Sequence, residues 1–264
     1  MRVNQIMTPN VVTIDKNLPL TNAIEAMRHN GISRLVVTDE KKIAGVLTEK
    51  DIMREMGSAK AYRLPPGRMH VSNLMTVNPI TVAPEVTAKR AAEIMLEHDI
   101  SGLPVVIEGE LAGIVTKLDF AKVCMDFDDI YAGQVMQAAP ITVSPGDRAI
   151  HARKLLLEED LVGLPVVESG SLVGVLTVRD LAMKLAAFQE IVPDRFKSER
   201  IRNLLVGDIM TQPAVSTRTD VKLAEVARVM FERRFSSMPV LNLESELVGL
   251  VTKTELAEIA RGRL

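Results

Sequence analysis

Apolar residues recur along this chain in two alternating rhythms. The first is a helical stripe: Leu20, Ala23, Ile24 and Met27 fall at i, i+3, i+4 and i+7, which buries one face of a helix. The stripe returns as Ala88, Ala91, Ala92, Met95 and as Leu223, Val226, Ala227, Met230. Its third occurrence puts Arg153 where the others are apolar, and a more exposed helix is expected there. The second rhythm is a pair of short, continuously apolar runs: residues 35–37 with 43–47, 103–106 with 111–115, 164–167 with 172–176, and 238–241 with 247–251. Turn dipeptides such as Glu108-Gly109 and Ser169-Gly170 separate them, so each pair is read as a hairpin. Strands this apolar are covered on both faces. A unit of roughly 55 residues cannot do that alone, and the units are expected to pair.

The rhythms repeat because the chain does. Gly45 to Asp51 reads GVLTEKD, and GIVTKLD, GVLTVRD and GLVTKTE follow, ending at Asp119, Asp180 and Glu255. A Met precedes the Thr of each motif by 41, 41, 41 and 42 residues, at Met7, Met75, Met136 and Met210. Six residues after each Met stands Thr13, Thr81, Thr142 or Ser216. The architecture expected is α/β, four tandem repeats, each strand-helix-strand-strand-helix. The segments are 1–57, a linker 58–70, 71–127, 128–187, a second linker 188–203, and 204–264. The longer linkers lie between the first and second repeats and between the third and fourth, which suggests those pairs as the modules. Helix is expected to run towards Pro193 at the start of the second linker.

Composition narrows the function. The 264 residues are 47% apolar, enough for a packed core. A net charge of −2 and 3% aromatics give no basis for a nucleic-acid groove or a stacking platform as the main surface. One cysteine, Cys124, excludes an internal disulfide framework and fits a structural thiol in a reducing cytoplasm. No run approaches the roughly 18 apolar residues of a membrane span, and the start lacks the apolar core of a signal peptide. Glu25 with His29 and Glu93 with His98 lack the Cys/His cluster of a metal site, and no phosphate-binding glycine loop follows a strand.

The chemistry that remains is the Thr-x-x-acid at the end of each hairpin. It places a hydroxyl and a carboxylate in the first turn of a helix, beside unsatisfied backbone N–H groups, an arrangement suited to a ligand bearing hydroxyls and phosphate. The same pattern is a capping box, needing no ligand and contributing about 1 kcal/mol. Three Asp and one Glu lean towards a ligand, since a cap alone accepts the commoner Glu in any copy.

Taken together, the Met-Thr openings, Ile100 to Val106 (ISGLPVV) and the recurrent Gly-x-x-Thr-x-x-Asp resemble the CBS (cystathionine beta-synthase) domain family over nearly the whole chain. The resemblance implies two Bateman modules forming a disc, and binding of an adenosine nucleotide (AMP, ADP or ATP) or a related adenosyl compound as a regulatory ligand, as in the gamma subunit of AMP-activated protein kinase. On that resemblance Asp51, Asp119 and Asp180 hold ribose, and Thr48, Thr116 and Thr177 lie near ribose or phosphate. Glu255, one methylene longer, departs from the pattern beside Thr252. Phosphate falls to Ser33 and Arg34, the one cation just before a second-strand run, with Lys50 and Arg179 as further candidates. Adenine lies against the main chain at Val11, Val12, Ile80, Ile141 or Val215. The reading is a cytoplasmic sensor without a catalytic cofactor, acting on a protein effector or by stacking of two chains into a homodimer. Alternatives are an S-adenosylmethionine-type sensor, a nucleic-acid-binding regulator using Arg195, Lys197, Arg200 and Arg202, and a structural adaptor with empty clefts. An enzyme is not expected, since no nucleophile or general acid/base pair is visible.

Overall fold

A computed structural model describes residues 1–56, 65–191 and 201–264. Part of the first linker, including Tyr62, Arg63 and Leu64, lies outside the described residues. So do Arg195, Lys197 and Arg200, while Arg202 sits in a helical turn at 201–203.

In chain order the elements are α1 (Val3–Ile6), β1 (Thr13–Asp15), α2 (Leu20–Asn30), β2 (Arg34–Asp39), β3 (Lys42–Thr48), α3 (Glu49–Met56) and β4 (Thr76–Val77). There follow α4 (Ala88–Glu97), β5 (Gly102–Ile107), β6 (Glu110–Thr116), a 3-10 turn Lys117–Phe120 and α5 (Ala121–Cys124). The third repeat holds α6 (Ala132–Val135), β7 (Gln137–Ala138), α7 (Ala149–Glu158), β8 (Gly163–Glu168), β9 (Ser171–Thr177) and α8 (Val178–Ile191). The fourth holds β10 (Thr217–Arg218), α9 (Leu223–Arg233), β11 (Ser237–Leu241), β12 (Leu247–Thr252) and α10 (Lys253–Arg263).

Each predicted hairpin is present and antiparallel, with the opening residue of its first strand opposite the motif Thr: Arg34 with Thr48, Gly102 with Thr116, Gly163 with Thr177, Ser237 with Thr252. The short first strand lies parallel to the hairpin. It is a true strand in the first and fourth repeats and shrinks to single bridges, Val82 with Val105 and Val143 with Val166, in the other two. The helical stripes are buried as predicted, with Ala88, Ala91, Ala92 and Met95 closed to solvent. All four stripe helices end the same way. A residue in the left-handed region, Gly31, Asp99, Asp160 or Arg234, closes the helix, and the next N–H returns to a carbonyl five residues back.

The remaining edge of every hairpin is filled by a segment from another repeat. Thr8 of the first repeat pairs with Ile114 of the second, and β4 of the second pairs with β3 of the first. Likewise β7 of the third repeat pairs with β12 of the fourth, and Thr211 of the fourth pairs with Val175 of the third. The exchange is reciprocal within each tandem pair. It also explains the motif glycine: a Cβ on Gly113 would lie 2.6 Å from Met7 Sδ, and one on Gly174 would lie 2.8 Å from Met210 Sδ and 3.0 Å from the Thr211 carbonyl. The recurrent Met and the recurrent Gly are therefore partners across two repeats.

The chain packs as two compact units. Unit one comprises residues 1–11, 78–140 and 215–264, and unit two comprises 12–77 and 141–214. Each has its own apolar core. In unit two α3 of the first repeat packs on α8 of the third. In unit one α10 of the fourth repeat packs on α4 and on the turn and helix that end the second. This helical pairing of first with third and second with fourth was not visible in the linker lengths. It also accounts for Arg153. Its guanidinium donates to the Met53 carbonyl at 2.9 Å and the Arg54 carbonyl at 2.5 Å, which closes the C-terminal end of α3 in place of an exposed face.

Candidate functional site

The four hairpins deliver four equivalent turns at the start of a helix, and in each the acid folds back on its own Thr. The Thr48 N–H and hydroxyl donate to Asp51 Oδ2 at 2.9 and 2.6 Å. The same pair of bonds measures 2.8 and 2.8 Å from Thr116 to Asp119, and 2.8 and 2.6 Å from Thr177 to Asp180. In the fourth repeat Thr252 reaches Glu255 Oε2 at 2.7 and 2.5 Å, the longer acid filling the same place. The capping geometry is thus made in every repeat, with one carboxylate oxygen used.

The second oxygen distinguishes the turns. Asp51 Oδ1 accepts from Arg54 at 3.2 Å, Asp119 Oδ1 from Lys122 at 3.3 Å, Asp180 Oδ1 from the Thr211 hydroxyl at 3.4 Å, and Glu255 Oε1 from the Gln137 amide at 2.6 Å. Asp119 and Glu255 are buried, whereas Asp51 and Asp180 keep partial exposure. Burial pushes the Asp180 carboxyl up from its ordinary value, against the Thr177 and Thr211 hydrogen bonds and the Arg179 charge that favour the ionised form. Gln137 and Thr211 both arrive on the exchanged segments, at the position that Thr8 and Thr76 hold in the other two repeats. Sequence reasoning missed them, because the residue after each repeated Met had no visible connection to an acid in another repeat.

Of the expected phosphate contacts, Ser33 and Arg34 join the first turn. Arg34 is cross-strand from Thr48, and the Glu49 N–H donates to the Ser33 carbonyl at 3.0 Å. Arg34 is itself buried, with Nη2 at 3.5 Å from Ser33 Oγ. Lys50 and Arg179 serve other partners. Lys50 pairs with Asp160 at the end of α7, and Arg179 Nε donates to the buried Glu49 at 2.7 Å, so both tie the first repeat to the third. Ile80, Ile141 and Val215 are exposed apolar residues just ahead of the first-strand position, and Val11 and Val12 are partly covered. Among the described residues no group of three His, Cys, Asp or Glu gathers as a metal site. Cys124 is buried, its thiol donating to the Leu256 carbonyl at 3.3 Å and pushed up to about 12 by burial, which makes it a poor nucleophile. No helix among the described residues is long and apolar enough to cross a membrane.

Comparison with known proteins agrees with this geometry. The CBS domain family matches residues 3–58, 71–126, 132–187 and 206–262. Uncharacterized protein MJ1225 of Methanocaldococcus jannaschii is 24% identical over 269 residues, 93% of this chain and 94% of that protein. Its crystal structure, described as that of a proposed archaeal homolog of g-AMPK, superposes with a TM-score of 0.83 at 23% identity, covering 98% of this chain and 99% of that one. A conserved uncharacterized protein from Pyrococcus horikoshii gives a TM-score of 0.64 at 27% identity over 98% of this chain and 100% of its own. MJ1404 of M. jannaschii is 38% identical over 135 residues, which are 47% of this chain and 32% of that longer protein. The chain belongs to the CBS domain family, as four tandem repeats in two Bateman-module pairs.

Proposed function

We propose that the chain is a cytoplasmic sensor of adenosine nucleotides, AMP, ADP or ATP, which signals by ligand-dependent rearrangement of its paired repeats. The observation that carries the reading is the recurrence, in a CBS protein, of a carboxylate and a hydroxyl at a helix start beside the hairpin's opening residue. In the first repeat that residue is Arg34. A carboxylate accepts from two neighbouring ribose hydroxyls, each charge-assisted bond contributing about 1.5–3 kcal/mol. The cation beside it suits a phosphate. The g-AMPK comparison made for MJ1225 points the same way. A ligand moves the equilibrium by its differential affinity for two states, and the output passes to a protein effector or to a second copy of the chain.

The test is calorimetric titration with AMP, ADP, ATP, S-adenosylmethionine and methylthioadenosine. Asp51→Ala and Asp180→Ala are expected to weaken the preferred nucleotide ten- to hundredfold, about 1.4–2.8 kcal/mol. Unchanged affinity with a lowered melting temperature would leave both acids as caps. A preference for S-adenosylmethionine over every nucleotide would replace the nucleotide reading with the adenosyl-sulfonium one.

A further inference from the structure

Each turn commits one carboxylate oxygen to its own Thr, so access for a ligand depends on what holds the other. In the second repeat that group is Lys122, and it is anchored three ways. Its ammonium donates to Asp119 at 3.3 Å and to the Ile6 carbonyl at 2.5 Å, and lies 5.0 Å from the centre of the Phe231 ring. In the fourth repeat it is Gln137, delivered by β7, whose amide meets Glu255 at 2.6 Å. The first and third repeats differ. Arg54 is an exposed side chain, 60% open to water, that reaches Asp51 from one helical turn away. The Thr211 hydroxyl stands 3.4 Å from Asp180, long for an O–H donor. Burial follows the same division: Asp119 is 5% and Glu255 6% exposed, while Asp51 and Asp180 are partly open.

We propose that Lys122 and Gln137 are built-in occupants of the second and fourth turns, which confine ligand binding to Asp51 and Asp180, both in unit two. The division rests on the function proposed above for its ligand, but not for its geometry. A ribose hydroxyl entering the second or fourth turn must displace a charge-assisted bond made to a buried carboxylate, from a part-buried Lys122 or from Gln137 on the exposed strand β7. In the first and third it displaces an exposed arginine or a stretched hydroxyl contact.

The experiment is titration of the full chain with AMP, reading the number of sites, alongside thermal denaturation without nucleotide. Wild type is expected to bind two AMP per chain. Lys122→Met and Gln137→Thr, made singly so that one decides if the other fails to fold, are each expected to raise the number to three. Both are also expected to lower the melting temperature without ligand, because a buried carboxylate oxygen loses its donor. Three or four sites in wild type, or two sites in both variants, overturns the proposal. An unchanged melting temperature in both variants overturns the occupancy of these turns whatever AMP does. Absence of AMP binding together with lowered melting temperatures refutes the nucleotide reading and upholds Lys122 and Gln137 as the groups that fill the two turns.

Discussion

Asp180 pays for its position in desolvation. Burial raises its carboxyl above the ordinary 3.8, and the bonds from Thr177 and Thr211 offset this in part. A group whose folded value is raised binds its proton more tightly in the folded chain. Its contribution to stability is therefore present below the unfolded value and is lost as pH climbs through the folded one. Asp180→Asn removes the titration and retains an acceptor for the Thr177 N–H. The melting temperature of this variant relative to wild type is expected to rise as pH increases from about 4 into the neutral range. A difference that stays flat with pH would refute the desolvation account. At this scale the acids themselves were legible, because Thr-x-x-acid is a local pattern. The partners of their second oxygens were not: Gln137 is 118 residues from Glu255 and Thr211 is 31 from Asp180.

At the scale of elements, the hairpins and stripe helices follow from period and burial, and the sequence pattern predicts them well. Their ends are less visible. Gly31 announces a helix stop, but Asp99, Asp160 and Arg234 take up the same left-handed conformation with no glycine to mark it. The exchanged edge was concealed too, since segments of one or two paired residues carry no periodicity. Its signature was instead the Met and Gly that recur at fixed spacing, now seen to touch across repeats. Gly113→Ala is expected to destabilise the chain by about 1–3 kcal/mol through crowding against Met7. Met7→Ala in the same chain should recover part of that loss, because the crowding atom at 2.6 Å is a side-chain sulfur. Gly45→Ala should gain little from Met75→Ala, since its closest obstacle is the Thr76 carbonyl at 2.6 Å. Urea denaturation of the two double-mutant cycles measures the contrast, and equal coupling in both would rule out the Thr76 carbonyl as the group that crowds a side chain at position 45.

At the scale of the whole chain, four repeats were legible and the composition of the compact units was not. Linker length reports which repeats are covalent neighbours, whereas the helical contacts are made by repeats one place further on. The backbone passes between the two units near residues 11, 77, 140 and 214, so neither unit is a continuous stretch. Denaturation should accordingly be one cooperative event. Cys124, closed off in unit one, is expected to react with a thiol reagent at the same urea midpoint at which far-ultraviolet dichroism of the chain is lost. Labelling at clearly lower urea would show unit one opening by itself.

The borrowed edge also constrains how such a gene can change. Deleting or duplicating one repeat by recombination would strand a hairpin whose lender is missing, or leave a lender with nothing to cover, and an uncovered strand edge invites pairing with another molecule. Removal or gain of a whole tandem pair, first with second or third with fourth, leaves every loan repaid, so viable descendants of this gene should carry an even tally.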